Sequence, residues 1–548
     1  MGGDGRLRLV AWFLALLWAW PLPAATYLVG PGRPYPNLQA VADFLNPGDV
    51  VEVDGNATYP GGVVFERPGS PEAKIVIRGI RVAGNRPVLS GSTNTVTFAT
   101  PDPDTPEAGA NHYVFEGFDV TGGSFRGLYH QAHDLTVRDV RVHHCPAHGI
   151  LGADQGSGSL TLEHVEVDHC GNGTSQHQIY VATDEVHHPG SVFRMAHCYV
   201  HDGTGGNNVK SRAERNEIVS NWIEGAYYHE LELIGPDPYG APDGWSEGLV
   251  REDSDVVGNV LWKRNTFFVV RFGGDGTGQS NGRYRFVHNT VVAGTSAVFR
   301  IFDGIQSVEM HDNVFCRADG GAPNLLRTAE AEWTDGEQIA GRSNWVRTGS
   351  TNVPAQWTGT LYGTDPGLTD LGASDPRPLL GSPLRNAAAT DLSGPPGFPF
   401  PDPEHPVPFH PPLHAVSVPG QESPRPFDCA PDIGAYEFPP AVAVVARLRL
   451  AQGGALSWDR APGVSAYDVV KGDLGLLLSS GGDFGSSLLA CLENDSPNAE
   501  AADGETPEVG GGFYYLVRGT PGGTYDSGCP GQDAPRDAEV AASPAACP

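Results

Sequence analysis

A short segment recurs along this chain, and the smallest interval between its copies constrains the fold more than any other feature. Each copy is an apolar pair followed by a polar turn, often opened by asparagine, as in Asp139-Val140-Arg141-Val142-His143, Asn221-Trp222-Ile223-Glu224 and Asn313-Val314-Phe315. Aligned on Val120, Val142, Val167, Val200, Ile223, Leu261, Val291 and Phe315, the copies are spaced by 22, 25, 33, 23, 38, 30 and 24 residues. A floor at 22 with irregular excess is what a coil of fixed circumference gives when its loops vary in length. Repeats of this size, made of β-branched residues with Gly and Asn turns, predict a parallel β-solenoid. Side chains from successive coils of such a fold stand in rows about 4.8 Å apart on its outer faces.

A second alignment finds the row where chemistry is expected. The strands after each turn are centred on Leu128, Ile150, Ile179, Val209 and Leu231, which are predicted to point inward and stack. Alternation then turns their neighbours outward. One outward column reads Tyr129, Leu151, Tyr180, Lys210 and Glu232; the flanking column reads Gly127, Gly149, Gln178, Asn208 and Glu230. His148 and His177 stand just before it, and Arg271 and Arg300 sit between apolar neighbours in the next coils. The expected site therefore comprises Lys210, Arg212, His177 and Arg271 as reacting or charge-stabilising groups, with Tyr129, His148, Tyr180, Asn208 and Arg300 contacting substrate. Glu230 and Glu232 on one strand face are expected to hold Ca²⁺. The competing reading of Lys210 and Glu232 is a cross-strand ion pair on a solvated face. Asn221, Asn259, Asn289 and Asn313 read as a turn ladder that satisfies backbone groups.

The chain has 548 residues and a formal charge of −30. This disfavours nucleic acid and anionic membranes as partners, and an acidic substrate would need a local basic site. Arg6 and Arg8, the apolar run Leu9 to Trp20 and Pro21-Leu22-Pro23-Ala24-Ala25 predict a secretory signal over residues 1–25. Its removal makes the charge −31, and export to the extracellular space, cell surface or periplasm is expected, with no later membrane span and a monomeric state. Eight cysteines follow the signal. Cys145 and Cys170 are expected to stack one coil apart, bonded or simply packed, and at least one disulfide is expected among Cys491, Cys529 and Cys547.

Residues 26–438 read as the solenoid, opened by a short amphipathic capping helix within Leu38 to Leu45. Coils are expected to about residue 320, followed by weaker strand fragments, a Pro-rich wrap from Gly394 to Pro412 and a closing strand from Asp432 to Phe438. Residues 439–548 contain separated strands around Leu456-Ser457-Trp458, Tyr467 to Gly472 and Phe513 to Gly519. This tail resembles a fibronectin type III-like β-sandwich with Trp458 and Tyr467 as its core pair, a module that spaces or attaches domains.

The signal, the Pro47-Gly48-Asp49 lead-in, the Asn turns and the segment from Asp432 to Phe438 together resemble secreted right-handed parallel β-helix proteins of the pectate-lyase-like superfamily. The stretch Asn208-Val209-Lys210-Ser211-Arg212 leading to Asn221 resembles the segment of alginate-lyase and chondroitinase B-type lyases that carries the lysine base. The resemblance implies Lys210 as that base and β-elimination at a uronate of an acidic polysaccharide as the reaction. Two departures stand out: Gly203-Thr204-Gly205-Gly206 replaces the calcium-binding glutamates that family places before the lysine, and Arg251-Glu252-Asp253 replaces its Arg-His-Gly motif. The alternatives from other classes are a non-catalytic glycan-binding or cell-surface β-helix protein and a β-helix glycoside hydrolase using paired carboxylates.

Overall fold

The computed structural model describes residues 24–102, 105–302, 304–327, 338–425, 430–438, 445, 448–451, 453–460, 464–526 and 536–548. The expected signal, through residue 23, and Cys429 and Cys529 lie outside the described residues.

Three parallel sheets of 13, 12 and 10 strands wind along one axis as a right-handed parallel β-helix. Each full coil contributes one strand to each, as in Leu135–Arg138 of the long sheet, Arg141–His143 of the narrow sheet and His148–Gly152 of the third, here called the site sheet. The inward positions form columns. In the long sheet Val137, Leu162, Met195, Ile218, Val256, Phe286 and Met310 are consecutive register partners. In the narrow sheet Val120, Val142, Val167, Val200, Ile223, Leu261, Val291 and Phe315 are partners in unbroken succession, as the repeat spacing predicts. All are buried in one core. Burial of each such side chain contributes about 1.5–3 kcal/mol, so the stacked columns supply the main driving force.

The corner between the long and narrow sheets takes two residues. The first has left-handed backbone: Asp139, His164, His197, Ser220, His288, Asp312 and Ser343 have φ between 50° and 56°. Short polar residues tolerate this region better than β-branched ones. The second is apolar in the earlier coils, at Val140, Val165 and Cys198, and from Asn221 onward it is the asparagine ladder, which runs one coil further than expected. Asn221 Nδ2 donates to Asn259 Oδ1 at 2.9 Å, Asn259 to Asn289 at 3.0 Å, Asn289 to Asn313 at 3.1 Å, and Asn313 to Asn344 at 2.9 Å. Each Oδ1 also accepts the backbone N–H of the preceding rung. Buried corner amides are thereby satisfied without water.

The helix at Gln39–Ala42 caps the open end, with Leu38, Val41, Ala42 and Leu45 fully buried. Asn37 Oδ1 accepts the Ala40 N–H at 3.1 Å. Coils continue beyond residue 320: strands at Ile339–Arg342, Trp345–Arg347, Trp357–Thr358 and Leu361–Gly363 extend the long and narrow sheets after the site sheet has ended at Asn324–Leu326. The Pro-rich wrap is extended, and its carbonyls receive Arg215 and Arg283 from the long sheet. Asp432 to Phe438 is not a strand. Ile433, Ala435 and Tyr436 instead pack onto Trp222, Trp262 and Trp345 of the narrow sheet.

The tail contains two three-stranded antiparallel sheets. Trp458 and Tyr467 share one core, ring centroids 5.4 Å apart. Cys491 and Cys547 form a disulfide. Cys145 and Cys170 are free and buried: the Cys145 N–H donates to Cys170 Sγ at 3.4 Å, so the pair packs as thiols.

Candidate functional site

The outward column lies in the predicted register. Tyr129 pairs with Leu151, Leu151 with Tyr180, Tyr180 with Lys210, Lys210 with Glu232, Glu232 with Arg271, and Arg271 with Arg300. Seven coils therefore present one row, aromatic at one end and cationic at the other.

The flanking column does not face outward. Gln178, Asn208 and Glu230 are fully buried. They occupy the corner where the chain turns in from the narrow sheet, one residue before the strand begins, so strand alternation does not yet apply. Gln178 Nε2 donates to Asn208 Oδ1 at 2.8 Å, and Asn208 Nδ2 donates to Glu230 Oε2 at 2.7 Å. The earlier coils have Gly127 and Gly149 here because there is no room for a side chain: a Cβ at Gly127 would stand 2.6 Å from Val142 Cγ1 and 3.0 Å from Cys145 Sγ, and one at Gly149 2.6 Å from Gln178 O and 3.2 Å from Cys170 Sγ. Asn208 thus does not reach the outer face.

Glu230 and Glu232 are likewise not brought to one point. Glu230 accepts from the Ala226 N–H at 3.1 Å and pairs with buried Lys263 at 3.2 Å. Burial pushes its carboxyl upward, and Lys263 opposes the shift. Glu232 faces outward and pairs with Arg271 at 2.6 Å, and Asn207 also donates to it. A calcium ion would have to displace two existing cations from opposite sides of the strand, so these residues do not fit the expected Ca²⁺ site.

Lys210 and Arg212 converge on an aspartate that strand alternation did not reveal. Lys210 Nζ donates to Asp275 Oδ2 at 2.7 Å and lies 3.9 Å from Glu232. Arg212 donates to the same Asp275 oxygen at 3.0 Å, to Thr277 Oγ1 at 2.7 Å and, through Nε, to the Tyr180 hydroxyl at 2.8 Å. Burial works to raise the Asp275 carboxyl, but Lys210 and Arg212 outweigh it and hold the group well below the usual carboxylate range. Asp275 sits in the glycine-rich turn after Val270–Gly273, where Gly276 has φ 94°. Burial pushes the Tyr180 hydroxyl up to about 12, against the pull of Arg212. Lys210 Nζ lies 5.2 Å from the centre of the Tyr180 ring.

The two histidines belong to a second ladder. His148 Nδ1 accepts the His177 N–H at 3.1 Å, His177 Nδ1 accepts the Asn207 N–H at 2.9 Å, and Asn207 Oδ1 accepts the His229 N–H at 3.0 Å. In neutral His148 and His177 the proton is therefore on Nε2. Burial lowers His177 well below its ordinary value, with help from Lys210 and His148, and lowers His148 to about 4, with help from Arg126. Both rings are hydrogen-bond donors at neutral pH and lack the free lone pair a base needs. The His177 ring lies 5.3 Å from Tyr180 and touches the row from beside it.

Loops complete the walls. Gln155 Nε2 donates to Gly240 O at 3.3 Å and so ties the 235–252 loop to the turn carrying Asp154. Burial raises the Asp154 carboxyl, with Arg212 opposing and Asp237 reinforcing. Tyr239 stands almost fully exposed at the loop's tip. Asp154, Asp237 and Asp275 escaped the sequence reading because loop residues obey no alternation; only the clustered glycines around Asp275 mark its turn. Nε of Arg271 in the row, and Nε of Arg126 beside it, are buried donors without a partner. A cavity of about 640 Å³ lies elsewhere, between the wrap and the long sheet, and its Arg285 is already paired with Asp255 and Glu309.

Fold and site together define a right-handed parallel β-helix protein with a charged, aromatic row on its site sheet. No protein-family model matches the chain, and no curated protein matches it. Among solved structures it is similar to pectate lyase Pel9A, at 13% identity and TM-score 0.42, over 76% of this chain and 96% of that one. It is also similar to an alginate lyase from Paenibacillus sp. str. FPU-7, at 16% identity and TM-score 0.30, over 62% and 99%. The GH136 lacto-N-biosidase from Eubacterium ramulus aligns at 13% identity and TM-score 0.36, over 62% and 67%. Likeness at this level identifies no residue of the site.

Proposed function

We propose that this chain is an exported polysaccharide lyase that cleaves uronate-containing glycans by β-elimination on the site sheet. The observation that supports this best is the row Tyr180, Lys210, Glu232, Arg271 and Arg300, one coil apart, with Arg212 beside it. The sugar ring stacks on Tyr180. The uronate carboxylate lies against Arg271, which Glu232 anchors through Nη1 at 2.6 Å. Deprotonation α to that carboxylate builds a second negative charge, which Arg271 and Arg212 stabilise. Lys210 removes the proton from C5, that electron pair forms the C4–C5 double bond, and the C4–O bond breaks with the departing oxygen taking a proton from water, leaving an unsaturated uronate. Lys210 Nζ is engaged by Asp275 at 2.7 Å. Substrate binding therefore has to draw Asp275 away on its glycine-rich turn before Lys210 can reach the α proton. His177 donates from Nε2 and orients substrate. No calcium step enters this scheme.

The test is the ultraviolet absorbance of the unsaturated product on alginate, pectate, chondroitin and heparin. The expected result is a rise on at least one substrate that Lys210→Ala abolishes. A flat trace on all of them rejects the reading.

One observation favours hydrolysis as the second reading. Burial raises Asp154 while Lys210 and Arg212 hold Asp275 down, and two carboxyls driven apart around one cleft are what a general acid and its ionised partner require. New reducing ends without unsaturation, lost in both Asp154→Asn and Asp275→Asn, would select it. Glycan binding without either product would select the non-catalytic alternative.

A further inference from the structure

The outer face of the narrow sheet holds a second concentration of chemistry-bearing residues, on different strands from the cleft. His143 and His144 end one coil's strand; Glu166, Asp168 and His169 stand on the next; His201 stands on the one after. His144, Asp168 and His169 each bring one donor atom within 4.8 Å of the others. The His144 and His169 rings are stacked, centroids 4.7 Å apart and planes 6° from parallel. Both rings are exposed, while Asp168 is fully buried beneath them.

Hydrogen bonds set which nitrogen of each ring carries a lone pair. Asp119 Oδ1 lies 2.7 Å from His143 Nε2, which therefore donates to it. His143 Nδ1 is left as an acceptor, and His144 Nδ1, 2.8 Å away, supplies the proton. His144 Nε2 is then unprotonated. In the next coil His169 Nδ1 donates to Asp168 Oδ1 at 2.6 Å, which leaves His169 Nε2 unprotonated as well. The other Asp168 oxygen is held by Arg141 Nε at 2.9 Å, so the carboxylate cannot swing away. Two parallel imidazoles, each with its Nδ1–H anchored directly or through a relay to a carboxylate, are prepared as metal ligands by their outer partners.

We propose that His144 Nε2 and His169 Nε2 bind a borderline divalent cation, Zn²⁺ or Ni²⁺, with Asp168 and the Asp119–His143 pair orienting the rings. Imidazole donors select such ions over calcium, which takes oxygen ligands. Tetrahedral coordination at about 2.0–2.1 Å from each nitrogen needs the donors roughly 3.3 Å apart. The rings have to leave their parallel stack and tilt toward one another about their Nδ1 anchors to bring both lone pairs onto one ion, a movement that their exposure permits. The segment that follows the wrap does not close this face: His414 packs on Tyr199 and Trp222, further along the axis. The ion would tie together the corners that lead into His148 and His177, and so brace the start of the site sheet in two successive coils.

The experiment is calorimetric titration of the untagged full-length chain, stripped with chelator, with Zn²⁺ or Ni²⁺ alone, paired with a thermal melt. The expected result is saturable binding and an upward melting shift, neither produced by Ca²⁺. His144→Asn and His169→Asn should each weaken binding roughly tenfold or more, by analogy with the losses seen when metal-site partners are removed. Asparagine tolerates the left-handed backbone that both positions share, so the variants are expected to fold. Lys210→Ala should bind the metal like the parent chain, which separates this proposal from the fate of the lyase reading. Absence of binding by the parent chain, or unchanged binding in both histidine variants, overturns it.

Discussion

Asp275 accepts a 2.7 Å hydrogen bond from Lys210 although the two are 65 residues apart and belong to different coils. The aspartate is ionised because Lys210 and Arg212 both point at it.

Removing that anion should change catalysis. Under the lyase reading Asp275 must leave Lys210 before proton transfer, so Asp275→Asn, which replaces an ion pair by a neutral contact, should raise kcat on the substrate that is cleaved. A kcat that falls as far as in Lys210→Ala would mean that Asp275 itself takes part in the chemistry.

The fold's own pH profile should have a maximum near pH 6.5. Glu185 Oε1 and Glu252 Oε2 are buried acceptors without a donor, and burial together with Glu252 pushes Glu185 up to about 9 from 4.5. Between those values the folded chain holds a proton that the unfolded chain releases, so stability falls as pH rises. His130, His148, His188, His197 and His405 behave oppositely: burial lowers each from 6.5 to about 4, so stability falls as pH drops through that interval. Five histidines outweigh one glutamate on the acid side, and the glutamate governs the alkaline side. Melting temperature measured against pH checks both limbs, and Glu185→Gln should flatten the alkaline one and steepen the acid one, because the Glu185 interval begins at 4.5.

Truncating one rung of the asparagine ladder should be costly. Asn259 donates to Ile218 O at 2.7 Å and to Asn289, and its Oδ1 accepts from both the backbone and the side chain of Asn221. Asn259→Ala leaves several buried groups unsatisfied at about 1–3 kcal/mol each, and a total loss of about 3 kcal/mol or more is expected in denaturant unfolding. An exposed asparagine such as Asn172, changed in the same way, should lose little.

The disulfide and the free thiols should separate under reductant. Cys491–Cys547 closes a loop across a sequence separation of 56 residues. Chain-entropy reasoning gives it about 4 kcal/mol, so reduction should destabilise the tail and leave the β-helix transition in place. Cys145, Cys170, Cys198 and Cys316 are buried, and should stay unreactive toward a thiol reagent until the β-helix unfolds.

The narrow-sheet column from Val120 to Phe315 and the site-sheet row from Tyr129 to Glu232 were legible in the sequence because a solenoid converts periodic spacing directly into spatial stacking. Arg271 and Arg300 could be placed between apolar neighbours, but their register could not, since loops of unequal length precede them. The corner column misled for a local reason. Asn208 and Glu230 are one residue short of their strands, where period-two alternation has not started, and both turn inward to a polar ladder.

The sequence by itself determined the coil, the direction each strand residue faces and the asparagine ladder, because these depend on short-range alternation and on contacts one coil away. Only the tertiary structure decided what surrounds Lys210. Asp154, Asp237 and Asp275 come from loops whose path is set by packing rather than period. The pairing of Glu230 with Lys263, and of Glu232 with Arg271, likewise depended on which side of a bend each carboxylate fell, and charges so committed leave no place for the calcium ion their spacing had suggested.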